Sequence, residues 1–81
     1  MSVRVLFFAS LADATGMREV EIETCSVPDV GAAYSKLERE FPKLAAYRPH
    51  VRCALNREFA GPDTPVRDGD EIAFFPPVSG G

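Results

Sequence analysis

Glu19-Val20-Glu21-Ile22-Glu23 alternates charged and apolar residues without a break, with Arg18 before it and Thr24 after it. Successive side chains of a strand point to opposite faces, so Val20 and Ile22 share one face and three carboxylates share the other. Three carboxylates need water. The sheet that holds this strand is therefore covered on one side only, which points to antiparallel neighbours rather than a sheet wrapped by helices on both faces. A chain of 81 residues has room for one two-layer core.

The other elements fit that frame. Val3 to Ala9 (VRVLFFA) reads as a strand with Val3, Val5 and Phe7 on one face and Arg4, Leu6 and Phe8 on the other. SLADATG then makes a short helical turn closed by Gly16. Ser26-Val27-Pro28-Asp29 reads as a helix start, with Ser26 as the cap and Asp29 completing a capping box. Val30, Ala33, Tyr34, Leu37 and Phe41 recur at helical spacing, and Pro42 closes the helix. Gly31 costs this helix about 1 kcal/mol against Ala. Val51 to Asn56 is a strand with Cys53 and Leu55 inward and Arg52 outward, followed by a turn at Asn56-Arg57-Glu58 and a short strand around Phe59. Asp68-Gly69-Asp70 is a turn. Glu71 to Phe75 is the last strand, with Ile72 and Phe74 inward. The order β-β-α-β-(β)-β predicts an α+β fold, a mixed sheet of four to five strands covered on one face by one main helix. The Phe-rich first and last strands are expected to pair in parallel at its centre. Residues 1–81 form one domain, with a flexible tail from about residue 76.

An autonomous active site is not visible. The single histidine, His50, lies between Pro49 and Val51 in a loop, away from any nucleophile elbow. The carboxylates fall on solvated faces and turns. No glycine-rich loop has phosphate-binding spacing, and no metal-ligand spacing occurs. Cys25 and Cys53 lack CxxC spacing and read as plain thiols. The net charge of −3 disfavours nucleic acid. No apolar run is long enough to span a membrane, and the opening residues do not read as a signal peptide, so a cytoplasmic protein is expected.

Two features ask for more than a stable fold. Strand parity places Phe8 and Phe75 on the outer face, which Leu6 and Ala73 share and which Phe59, from the nearby short segment, joins. A contiguous apolar patch of that kind marks a partner surface. The second feature is the ending FFPPVSGG. Pro76 and Pro77 fix two φ angles and aim the chain away from the sheet. Val78 is an apolar anchor, Ser79 is small, and Gly80 and Gly81 pass through a narrow channel. Extended, residues 78–81 reach about 13 Å, enough to carry a carboxylate into another protein's cleft. A carboxylate is inert until adenylated. A sulfur nucleophile then converts the acyl phosphate to a thiocarboxylate, a soft nucleophile that a partner can hold dry and in line with its substrate.

The residues VLFFA (Val5 to Ala9), ALN (Ala54 to Asn56) and DGDEIAFFPPVSGG (Asp68 to Gly81) resemble the small subunits of molybdopterin synthase, sulfur carriers of the ubiquitin-like β-grasp superfamily. The resemblance covers the full length, and Ser79 stands where the family accepts a small residue. It implies that an ATP-consuming adenylyltransferase of the ubiquitin-activating type adenylates Gly81, and that a sulfurtransferase system makes the thiocarboxylate. It implies docking on a large synthase subunit through Phe8, Phe59 and Phe75, in a heterotetramer. There the tail donates sulfur to cyclic pyranopterin monophosphate, building the molybdopterin dithiolene. Catalytic lysines and the pterin pocket belong to the large subunit, so no cofactor is expected on this chain. Carriers for thiazole synthesis or tRNA thiolation share fold and tail. A protein modifier joined through Gly81, or an interaction module with an idle tail, are the readings of other classes.

Overall fold

The computed structural model describes residues 2–24 and 27–76. The strands are β1 (Ser2–Phe7), β2 (Glu19–Glu23), β3 (Arg52–Leu55), β4 (Glu58–Ala60) and β5 (Glu71–Phe75). They form one sheet in the order β2-β1-β5-β3-β4. β1 and β5 run in parallel, with Val5 beside Ile72 and Phe7 beside Phe74. β2 pairs antiparallel with β1, and β3 pairs antiparallel with both β5 and β4. The helices are α1 (Ser10–Thr15) and α2 (Val30–Glu40), with a 3-10 helix at Pro42–Ala46.

The alternation seen in the sequence sets the two faces. Val3, Val5 and Phe7 of β1 and Ile72 and Phe74 of β5 are buried, and they meet Val30, Ala33, Tyr34 and Leu37 of α2 in one core. Each such aliphatic or aromatic side chain contributes on the order of 1.5–3 kcal/mol by leaving water. The Phe74 ring stands edge-on to Tyr34 at 5.1 Å between centroids and stacks with Phe7 at 6.4 Å. Phe74 thus joins the central strand to the helix and to its parallel neighbour.

Three departures from the sequence reading have physical reasons. β1 stops at Phe7 because Ala9 sits at φ 53, ψ −128, a turn conformation that swings the chain into α1. α1 closes at Gly16 as read, with a φ of 74 that is open to a residue without Cβ. α2 starts later than expected. Asp29, not Ser26, is its N-cap, and Asp29 Oδ1 accepts from Ala32 N at 2.8 Å. The other first-turn amides find acceptors in the loop before β5. Val30 N donates to Thr64 O at 3.0 Å and Gly31 N to Pro62 O at 2.9 Å. Asp29 itself is extended and bridges to Pro65, which holds it outside the helix. The segment after α2, read as a loop, contains the 3-10 helix, which buries Leu44 and gives Tyr34 Oη a carbonyl to donate to at 2.6 Å.

Candidate functional site

The outer face of the sheet, opposite α2, is ordered in rows. Register places Phe59, Ala54, Ala73 and Leu6 side by side across β4, β3, β5 and β1. One step toward the C-terminal ends of β1 and β5 come Phe8 and Phe75, with Arg52 opposite Phe75 on β3. In the other direction the face turns ionic. Arg4 lies between Glu21 and Glu71 and pairs with Glu19 at 3.4 Å and Glu71 at 3.7 Å. The small residues Ala54 and Ala73 leave a shallow floor between the large ones.

Phe59 is 79% exposed and Phe8 48% exposed, while Phe75 is half-buried. The Phe59 and Phe75 rings lie 5.8 Å apart, so these two candidates are brought together by the β3–β4 hairpin. That hairpin turns on Asn56 and Arg57 alone, both at positive φ (50 and 72), as a two-residue turn matched to strand twist requires. Asn56 Nδ2 donates to Asp70 Oδ1 at 3.0 Å, and its Oδ1 accepts from Glu71 N at 3.0 Å, which ties the hairpin to the start of β5. That Asn56 bond, with the Arg67 backbone N–H second, holds the Asp70 carboxyl below its ordinary range. Tyr47, from the segment after α2, packs against the core.

The patch surrounds the root of the tail. Phe75 ends β5 and Pro76 follows, half-buried. Pro77, Val78, Ser79, Gly80 and Gly81, expected to thread into a partner and to carry the reacting carboxylate, lie outside the described residues. Cys25 and Ser26 lie outside them too. Cys53 points inward, donates its thiol to Ala60 O at 2.9 Å, and is pushed up in pKa by burial. A neutral, half-buried thiol is a poor nucleophile. His50 is exposed, as its loop position suggested. Among the described residues no three His, Cys, Asp or Glu side chains gather as a metal site, and no helix is long and apolar enough to cross a membrane.

With this geometry in view, a match to known proteins is decisive. The model of the ThiS family matches residues 5–81. The chain belongs to that family. A human relative, "Molybdopterin synthase sulfur carrier subunit", is 40% identical over 85 residues, spanning 98% of this chain and 93% of its own length. Among solved structures, SAMP1 of Haloferax volcanii superposes with a TM-score of 0.85 at 33% identity, covering 100% of both chains. A Helicobacter pylori chain in the protein–protein complex of subunits 1 and 2 of molybdopterin-converting factor superposes with a TM-score of 0.69 at 28% identity, again over 100% of both. The ubiquitin-like β-grasp expected from the sequence is the fold these neighbours share. The residue the sequence reading placed outward but gave no role is Arg52. Its position beside Phe75 depends on β3 pairing with β5, which no local pattern announces.

Proposed function

We propose that this chain is the sulfur-carrier subunit of a molybdopterin synthase, with Gly81 as the residue that carries the sulfur. The observation that carries the reading is the apolar face built around the root of the tail. A carrier without an active site of its own needs a surface that docks and a thin end that reaches, and here the surface borders the point where that end departs. Full-length similarity to relatives named as molybdopterin synthase sulfur carriers supports the same reading.

In this reading an adenylyltransferase of the ubiquitin-activating type consumes ATP to adenylate the Gly81 carboxylate, releasing pyrophosphate. A sulfur nucleophile from a sulfurtransferase system displaces AMP and leaves the thiocarboxylate. Phe8, Phe59 and Phe75 dock on the large subunit. Pro76 and Pro77 stiffen the approach, and Val78, Ser79, Gly80 and Gly81 thread the cleft. The thiocarboxylate sulfur bonds to a side-chain carbon of the pterin precursor as a carbon–oxygen bond there breaks, the oxygen leaving on protonation. Water then cleaves the acyl–sulfur bond, so the sulfur stays on the substrate and the carboxylate returns to the carrier. Holding the sulfur in line and dry supplies much of the rate. The carrier binds no cofactor of its own, and it works in the cytoplasm.

The likeness to Haloferax volcanii SAMP1, named "Small archaeal modifier protein 1", favours a second reading, a protein modifier joined to other proteins through Gly81. One experiment separates them. The chain is incubated with ATP, its activating enzyme and a sulfur donor, and intact mass is recorded. The expected result is a gain matching one oxygen replaced by sulfur, mapped to Gly81. No gain, with the enzyme active on another carrier, together with Gly81-dependent isopeptide ladders in extracts, would replace the carrier by the modifier.

A further inference from the structure

We propose that Arg52 and the groove beside it form a charged anchor of the docking face, which takes an acidic segment of the subunit that receives the tail. The inference rests on the docking reading above and adds the chemistry of the partner. Among the described residues, the strands carry two cations on the outer face, Arg4 and Arg52. Arg4 is engaged by Glu19 and Glu71, at the end far from the tail. Arg52 is exposed and has no ion pair among the described residues. It is the cross-strand neighbour of Phe75, one residue from Pro76. On a face otherwise apolar or acidic, in a chain of net charge −3, the root of the tail therefore carries the positive corner.

Beside it, at the β3–β4 edge, opens a groove of about 350 Å³ lined by Val51, Arg52, Cys53, Phe59, Ala60 and Pro62. Its walls are largely apolar and a guanidinium stands at its rim. Such a site fits an apolar side chain flanked by Asp or Glu. The energetics select the acid. Any subunit that covers Phe75 also covers Arg52, since the two are paired across adjacent strands. Covering a cation without a counter-charge costs desolvation that nothing offsets. A guanidinium is suited to a carboxylate in such a half-dry position, because its fork binds both oxygens. The groove shares Phe59 with the Phe59–Phe75 pair, so acid and apolar contacts would fall side by side.

The test measures the affinity of the full-length carrier for the large subunit at low and at high salt. The proteins compared are wild type, Arg52→Ala, Arg52→Lys, Arg52→Glu and Phe75→Ala. Arg52 is exposed, and a thermal melt of each variant checks that the fold is kept. Reversal at Arg52 is expected to weaken binding about tenfold or more, and neutralisation about threefold, with a shallower salt dependence. Arg52→Lys keeps the charge but loses the fork, so it should fall between wild type and Arg52→Ala, and an Asp or Glu→Arg variant of the large subunit should restore binding to Arg52→Glu. If Arg52→Glu binds like wild type while Phe75→Ala is weakened, the charged anchor is wrong and the docking face stands. If Arg52→Ala binds more tightly than wild type, the cation is covered unpaired and the acidic segment is excluded. If Phe75→Ala also binds like wild type, the docking reading itself fails, and the anchor with it.

Discussion

Tyr34 shows how one residue can join layers. Its ring packs on Phe74, its hydroxyl donates to Leu44 O, and the Arg48 guanidinium lies 5.2 Å from its ring centre while pairing with Glu38. Burial, then the nearby Glu38 carboxylate, pushes its pKa from 10.0 up to about 12. The fold therefore favours the neutral phenol. The stability this gives is complete below pH 10 and is lost as pH rises toward 12, by an amount on the order of 2 kcal/mol. Urea melts at several pH values should show this alkaline loss in wild type and much less of it in Tyr34→Phe. At pH 7 the same variant should be less stable by about 1–2 kcal/mol, because the Leu44 carbonyl loses its donor. A Tyr34→Phe protein with the wild-type alkaline profile would show that the loss originates at other groups. The helical spacing of Tyr34 was legible in the sequence. Its hydroxyl partner was not, because Leu44 lies in a 3-10 helix that the Pro42-initiated stretch does not advertise.

At the scale of elements, the start of α2 shows where local reading succeeds and fails. The sequence marks a helix start near Asp29 by its capping residues and Pro28. It does not mark which residue caps, because the choice depends on a loop more than thirty residues later. Pro62 and Thr64 carbonyls take the first-turn amides, and the close approach of that loop explains Gly31. A Cβ at Gly31 would stand 3.1 Å from Pro62 O and 3.3 Å from Pro62 Cβ. The glycine that looked like a helix defect is a contact point. Gly31→Val is expected to destabilise the fold by about 1–3 kcal/mol, although valine is the better helix former. Thermal melts check this, and a Gly31→Val protein as stable as wild type would mean that the 61–66 loop moves aside at no cost. The strands were more legible. EVEIE alternates charged and apolar residues over its whole length, and the burial of EIAFF alternates as read, with Ile72 and Phe74 inward. Strand order was less legible, since the parallel β1–β5 pairing is supported only by two Phe-rich segments far apart in sequence.

At the scale of the whole molecule, the parallel β1–β5 pair sets the arrangement that matters. It brings the ends of both strands to one edge, where Phe8 and Phe75 follow the paired Phe7 and Phe74, and β5 ends beside the apolar face. The face and the tail are therefore separable in function. In the proposed function the face supplies the affinity, and the length of the tail beyond Pro76 sets where Gly81 arrives. An activated carbonyl must be placed to within a fraction of a bond length of productive geometry, and a displacement of about 1 Å can cost two orders of magnitude in rate. One residue of extended chain spans about 3.5 Å. Deleting Gly81, or adding one residue after it, should thus abolish sulfur transfer while affinity for the large subunit and the melting temperature stay near wild type. Binding and single-turnover transfer, measured on the same preparations, check both halves. Transfer at the wild-type rate by a lengthened tail would show that the reacting group does not sit at the end of the chain. Loss of binding along with transfer would show that the tail, and not the Phe face, supplies the affinity.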